Sequence, residues 1–550
     1  MSLLIIFLFK SIYGFNMRGF VKGFVNGRIY ASFNPRITAS AMLVVGGRVS
    51  YLGDTSRVRS MARDLNGEII DLEGRIVLPG FIDSHAHLDG IGSNLNTLDL
   101  RGVRSVRELK ERVREYILKT SSKWIIGRGW DQELFEEKRW PTRWDLDEVC
   151  SERPVILTRV CGHAAVMNTR ALIEAGVMDI LSEDVLRDEK GEPTGIIREH
   201  ILSIVKQKIR RDMDLNTLEK YLLDAMKHAT SQGVTTIGFV SCDPIHLHAL
   251  LSLRQKIKPL IRVRIYLSPG SDPNGRDITM LDTIRRLGIY RGFGDEYIRI
   301  QGFKIIADGS LGARTAWLSK PYSDDPRSSG YPNIEKDLLR IIAREVDRLG
   351  LQLAIHAIGD RTLDMILEIY RELGSVERKR HRIEHASLVR DDQLDILGDL
   401  KPVLVIQPRF VLGDWWALER IGVERIKWLY RFKDFIRRGI PIAISTDSPV
   451  EPLNPWETVY SAVTRGEYDN ISYFEYSRDQ RLSLDEALHY YTKGSAYALS
   501  DDEIGSLEEG RFADFIVVDR DPFEIDPRDL RSIRVIETYL GGERVYPEKP

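Results

Sequence analysis

Residues 77–90 read VLPGFIDSHAHLDG. Ile76-Val77-Leu78 and then Phe81-Ile82 form an apolar run interrupted by Pro79-Gly80, the pattern of a short buried strand. Side chains at i and i+2 of a strand point the same way. His85 and His87 therefore converge on one point, as two ligands of one metal ion must, and Asp83 lies on the same side. Imidazole is the commonest metal ligand among side chains. A second H-x-H, His246-Leu247-His248, reads differently. It follows Asp243-Pro244 and opens IHLHALLSLRQK, which has helical periodicity, and proline is well placed at a helix start. Residues i and i+2 of a helix do not face each other, so these two histidines are expected to diverge as ordinary helix residues.

Outward from the first motif, strand-like runs alternate with amphipathic helical stretches. The strands are Thr235–Val240, Arg262–Leu267, Ile298–Ile306, Gln352–His356, Arg382–His385, Val403–Gln407 and Pro441–Ser445. Helical runs such as Lys336–Leu349, Thr362–Glu372 and Asp391–Leu397 lie between several of them. With the strand before His85 the count is eight, which predicts a (β/α)8 TIM barrel over residues 80–503. Residues 100–215 break this rhythm and are expected to be an α/β insertion over the barrel mouth. Short β-like pieces separated by Asn26-Gly27 and Gly46-Gly47 precede the barrel. Others follow it, at Ala513–Asp519 and Val535–Val545. The two ends, 17–79 together with 504–550, are expected to build one small β-sandwich.

Composition narrows the function class. The 550-residue chain has a formal net charge of −2, so it carries no basic field for nucleic acid and no acidic tail. Cys150, Cys161 and Cys242 show no C-x-x-C spacing. An odd, low count argues against a disulfide framework and for a reducing, cytoplasmic compartment. Charged residues make up 29 % of the chain against nine glutamines, the direction taken by thermophile proteins. Leu3–Phe9 is apolar but too short to span a bilayer, and it lacks the flanks of a signal peptide. The first sixteen residues are expected to be dispensable, with Met17 as an alternative start.

Chemistry-bearing residues stand at or near the ends of five of the eight strands. They are His85 and His87 on the first, Lys304 on the fourth, His356 on the fifth, His385 on the sixth and Asp447 after the eighth. Strand C-termini form the active-site face of such a barrel. This order resembles the amidohydrolase superfamily. The closest branch is amidohydrolase family 3, which includes N-substituted formamide deformylases. The resemblance runs over nearly the whole chain, through PGFIDSHAHL, GWDQ, CGHAAVMN, GEPTGIIRE, FKIIADGSLGARTA, IHAIGDR, RIEHA, STDSPV and GSLEEGRFADFIVVD.

The resemblance implies a metal site. Lys304 would be carbamylated by carbon dioxide, because an ammonium has no lone pair for a metal and a carbamate has two oxygens. The alternative is a lysine in a salt bridge with Asp308. A carbamate would bridge two ions, with His85, His87 and Asp447 on one and His356 and His385 on the other. Four imidazoles with oxygen ligands suit zinc, one ion or two, or another divalent transition metal. The metal would activate a water as hydroxide and polarise the substrate carbonyl. Asp447 would take the proton of that water and pass it to the leaving nitrogen.

Weaker candidates surround this set. His163, in TRVCGHAAVMN, is a candidate donor to the substrate oxyanion, against a structural histidine of the insertion. Trp130 and Asp131 are candidates for lining the mouth. Arg314 either orients an anionic group or pins its own loop. Arg409, after Gln407-Pro408, points to an acidic substrate. Asp360-Arg361 is expected to be a loop ion pair. The expected activity is hydrolysis of a non-peptide C–N bond, in an N-acyl or N-formyl amide of a small molecule. The alternatives are a deaminase or cyclic-amide hydrolase of the same superfamily, and a non-catalytic assembly protein that would have lost ligands, of which none is missing here. A homodimer with no nucleic-acid or membrane partner is the expected assembly.

Overall fold

The computed structural model describes residues 19–120, 122–159, 164–270 and 277–548. Eight parallel strands pair in sequence order around one sheet: β1 (Phe81–Ala86), β2 (Val234–Cys242), β3 (Arg262–Leu267), β4 (Ile298–Ile306), β5 (Gln352–Ala357), β6 (Arg382–His385), β7 (Val403–Ile406) and β8 (Ile442–Ile444). The ring closes between β8 and β1. Ser84 Oγ donates to the Ile444 carbonyl at 3.1 Å, and Asp447 N donates to the His85 carbonyl at 2.9 Å. Every residue of β1, β3, β6, β7 and β8 is buried. β7 and β8 are continuous apolar runs, as a parallel sheet covered on both faces favours, whereas β1, β3 and β6 also bury charged and polar side chains. The crossover helices are amphipathic instead. Lys336–Arg348 buries Leu339, Ile342, Ala343 and Val346, one stripe of a 3.6-residue period.

Strands β2 to β8 fall within two residues of their expected positions. The run before His85 differs. It is two strands in two sheets rather than one interrupted strand. Ile76–Pro79 pairs with Phe515–Val518 and with Arg28–Phe33 in the terminal β domain, whereas Phe81–Ala86 pairs with β2. Gly80 is the passage between them. A Cβ there would lie 2.3 Å from the Thr235 side chain, so only glycine allows the close approach.

The chain ends build the sandwich. One sheet runs Arg48–Gly53, Ala41–Val45, Val21–Val25, Glu68–Asp71. The other runs Glu543–Tyr546, Val535–Leu540, Phe515–Val518, Ile76–Pro79, Arg28–Phe33, Arg36–Ala39. Phe24 packs edge-on against Phe515 and Tyr539 in its core. Two fully buried ion pairs lie on β3. Arg262 meets Asp514 at 2.6 Å, and Arg264 meets Asp501 at 2.6 Å. Removing one partner of such a pair leaves an uncompensated charge in the interior. Asp501→Ala is therefore expected to cost about 3–5 kcal/mol of stability, read from denaturant unfolding. An unchanged midpoint would show that Arg264 finds another partner.

Residues Ile91–Asp224 form a second compact unit. A six-stranded mixed sheet carries an apolar cluster on each face. Side chains alternate between the two clusters, as Val155, Ile156 and Leu157 do. Helix Val106–Ile117 contributes to one cluster, and helices Thr169–Ala175 and Glu199–Asp212 to the other. Among the described residues no helix is long and apolar enough to cross a membrane.

Candidate metal centre

The C-terminal ends of five strands bring His85, His87, Lys304, His356, His385 and Asp447 together. The rings of His85 and His87 lie 5.7 Å apart, those of His85 and His385 5.0 Å, and those of His356 and His385 4.4 Å. Asp447 Oδ1 stands 3.2 Å from His85 Nε2 and 3.2 Å from His87 Nε2. One ligand atom each from His85, His385 and Asp447 fall within 4.8 Å of one another. The backbone is bent to achieve this. His385, Ala386 and Asp447 have φ of +73°, +43° and +60°, conformations that L side chains adopt at a cost and that cluster at functional sites. Strict alternation would have sent His385 to the face opposite Glu384. The left-handed turn lifts that constraint.

Hydrogen bonds define which nitrogen of three rings is free. The His85 Nδ1–H donates to Glu384 Oε2. Glu384 is held by Arg382, whose Nε and Nη2 reach its two oxygens at 2.7 and 2.8 Å. The His385 Nδ1–H donates to Gln407 Oε1 at 2.8 Å, and the amide is oriented by donating to Ser445 Oγ and the Val405 carbonyl. The His356 Nε2–H donates to the Gly309 carbonyl at 3.0 Å. Each partner oxygen only accepts, so the opposite ring nitrogen keeps its lone pair. His85 Nε2 is buried and has no hydrogen-bond partner. It therefore turns a lone pair toward a carboxylate oxygen 3.2 Å away. Two acceptors that close need a proton or a metal cation between them. Ligands about 2.0–2.1 Å from a tetrahedral zinc stand about 3.3 Å from one another. The observed spacings fit such an edge, and the donor set of imidazoles and carboxylate suits the same ion.

Electrostatics follow from burial. Burial opposes the Asp447 charge, but a positive charge on the neighbouring histidines, His85 foremost, outweighs it and holds the carboxyl well below its usual range. Burial pushes the His385 imidazole well below its ordinary value. It also lowers the Lys304 ammonium, against the opposing pull of Glu384 and Asp447, which favours the neutral amine. Lys304 makes no ion pair with Asp308. That carboxylate accepts instead from the backbone N–H groups of Trp317, Ile358 and Gly359 and from the Thr362 hydroxyl, and its Oδ1 lies 3.3 Å from His356 Nε2. Asp83 accepts from Thr446 Oγ1 and N and from His85 N, so it braces β1 against β8 beneath the histidines.

The outer candidates fare differently. Trp130 is not a mouth residue. It is fully buried in the core of the Ile91–Asp224 unit, edge-on to Trp140, and its indole N–H donates to the Leu157 carbonyl. The apolar size that drew attention to it is what the core takes. Asp131 caps the turn Gln132–Leu134 and pairs with Arg159 at 2.6 Å. Arg314 pins its own loop through Asp324 at 2.8 Å. Asp360 and Arg361 do not pair. Asp360 binds Ser319 and Arg390, and Arg361 lies over Trp317. His246 and His248 sit on helix Pro244–Lys256 as expected. His163 lies outside the described residues. Arg409 stands beside Phe410, which stacks on His385 at 6.0 Å. Its nearest carboxylates, Glu451 and Glu457, are 3.5 and 3.8 Å away, and its Nε has no hydrogen-bond partner. Glu384, Arg382 and Gln407 went unnoticed in the sequence. The only signal was the i, i+2 spacing of Arg382 and Glu384 next to His385 in RIEH.

Known proteins share this arrangement of strands. A sequence profile described as the amidohydrolase family matches residues 68–546. The chain is similar to YtcJ of Bacillus subtilis, with 29 % identity over 532 residues, 94 % of this chain and 98 % of that one. It is also similar to the N-substituted formamide deformylase of Arthrobacter pascens, with 27 % identity over 531 residues, 92 % of this chain and 94 % of that one. Among solved structures, an uncharacterized metal-dependent hydrolase from Pyrococcus horikoshii is 40 % identical, with a TM-score of 0.83 over 92 % of this chain and 99 % of that one. Eight-stranded barrel, terminal sandwich and a profile match spanning both make this chain a member of the amidohydrolase family.

Proposed function

We propose that the chain is a metal-dependent hydrolase of a non-peptide C–N bond, acting on an N-acyl or N-formyl amide of a small molecule. The observation that carries this reading is His85, whose Nδ1–H is committed to Glu384 while its buried Nε2 faces Asp447. His85, His87 and Asp447 would hold one ion, preferably zinc, and His356 and His385 would hold a second, with Lys304 adding oxygen ligands as its carbon dioxide-derived carbamate. A metal held there would supply Lewis acidity, lowering the pKa of water toward neutrality and polarising the carbonyl. Asp447 would accept the proton of the attacking water and deliver it to the departing nitrogen. His163 keeps the proposed role of donor to the carbonyl oxygen. Arg409, with its fork only loosely engaged, accepts a carboxylate of the substrate. The buried, unbridged Cys150 and Cys242 support a reducing, cytoplasmic setting, and a homodimer remains the proposed assembly.

The test is metal analysis joined to a substrate panel of N-acyl amides, N-formyl amides, lactams and amino-heterocycles. Metal-dependent turnover of the open-chain amides is expected. Turnover confined to lactams or amino-heterocycles would move the reading to a cyclic-amide hydrolase or deaminase. Protein that retains no metal would sink it. Lys304 has its own check. In metal-loaded crystals, density at its amine should extend by a planar three-atom group. Lys304→Ala should lose metal and activity, with partial recovery in small carboxylates. A bare amine in metal-loaded protein would remove its bridging role.

A further inference from the structure

We infer that Glu384 and Arg382 are positioning residues, and that Glu384 acts through its charge to make His85 a strong Nε2 ligand. The inference rests on the metal-binding reading above. Arg382 and Glu384 are two residues apart on β6, so both face the same side of the strand. Both side chains have zero exposure. The guanidinium engages Glu384 with two parallel bonds and sends a third, 2.9 Å, from Nη2 to the Ser84 carbonyl. It lies 4.3 Å over the Tyr266 ring, whose hydroxyl meets Gln352 Oε1 at 2.7 Å. The carboxylate therefore cannot rotate, and its Oε2 is presented to His85 Nδ1. One ion pair on β6 thus fixes both the backbone and the ring tautomer of β1.

The three rings with defined partners are not equivalent. His356 Nε2 donates to the Gly309 carbonyl at 3.0 Å and has Asp308 Oδ1 farther off at 3.3 Å, and His385 is backed by a neutral amide oxygen. His85 is backed by a carboxylate. A carboxylate acceptor raises the basicity of the opposite ring nitrogen and draws a cation to it. Loss of such a partner costs metal affinity about 10–100-fold. A mere brace between β1 and β6 would not need the negative charge for this.

Two variants separate the readings. Glu384→Gln keeps the shape and one acceptor oxygen but leaves Arg382 uncompensated. The pair Arg382→Met with Glu384→Gln removes both charges, so the buried imbalance disappears. Zinc affinity of chelator-stripped protein would be measured by competition with a chromophoric chelator at fixed pH, beside thermal unfolding. We expect zinc affinity about 10–100-fold below wild type in both, even though the pair unfolds nearer to wild type than the single variant. Wild-type affinity in the pair would reduce Glu384 to a structural brace. A zinc-loaded wild-type crystal gives a check that needs no variant. Zinc on Nε2 of His85 with Nδ1 on Glu384 is expected, and zinc on Nδ1 would overturn the inference. Zinc affinity that His85→Ala leaves unchanged would instead overturn the metal-site reading itself.

Discussion

Asp447→Asn is expected to lower kcat by about 10²–10⁴-fold, the span of a general acid–base group, with a much smaller change in KM. The substitution keeps the shape and one carbonyl oxygen in place of Oδ1. That oxygen still stands between His85 Nε2 and His87 Nε2, where Asp447 Oδ1 lies 3.2 Å from each. Most of the metal should therefore stay bound, while the carboxylate proposed to carry the proton is gone. Steady-state kinetics on protein whose metal content has been measured would show this. A metal-replete variant with near-normal kcat would mean that another residue moves the proton, and His163 would be examined next. Loss of all metal would mean that Asp447 is chiefly a ligand.

Replacing His85 and His87 together by alanine should lower metal content from about one to two ions per chain to a small fraction of that, and activity with it. The rings stand 5.7 Å apart, and both Nε2 atoms face the same carboxylate oxygen. Removing both leaves Asp447 with no imidazole nitrogen from β1 to share a cation. The double variant also leaves Glu384 with Arg382 as its remaining charged partner, so the fold should survive. Elemental analysis of the purified protein decides the matter. Full occupancy would show that the ion sits elsewhere, and His356 and His385 would then be the residues to test.

The barrel was legible because its periodicity is local. A parallel strand covered on both faces writes a continuous apolar run, and a covering helix writes a 3.6-residue stripe. Val403–Ile406 and Lys336–Arg348 show the two patterns. The six residues proposed as metal ligands were legible for a related reason. In this architecture strand ends converge on one mouth, so position along the chain stands in for position in space. Gly80 marks where local reading failed. Whether Ile76–Pro79 continues into Phe81–Ala86 depends on which partners are nearby, Phe515–Val518 for one and β2 for the other. Trp130 failed likewise, since a large aromatic suits a core and a binding wall equally well until its neighbours are known.

The sequence by itself determined the eight-strand order, the sandwich shared by the two chain ends and the residue types at the strand tips, because each is carried by a period, a turn or a motif within one short stretch. Tertiary structure alone decided what those tips can do. The free nitrogen of His85 is set by Glu384, 299 positions away in the chain. The free nitrogen of His385 is set by Gln407 on the loop after the next strand. A hydrogen bond assigns a tautomer through distance and direction, and neither can be read from spacing along a chain.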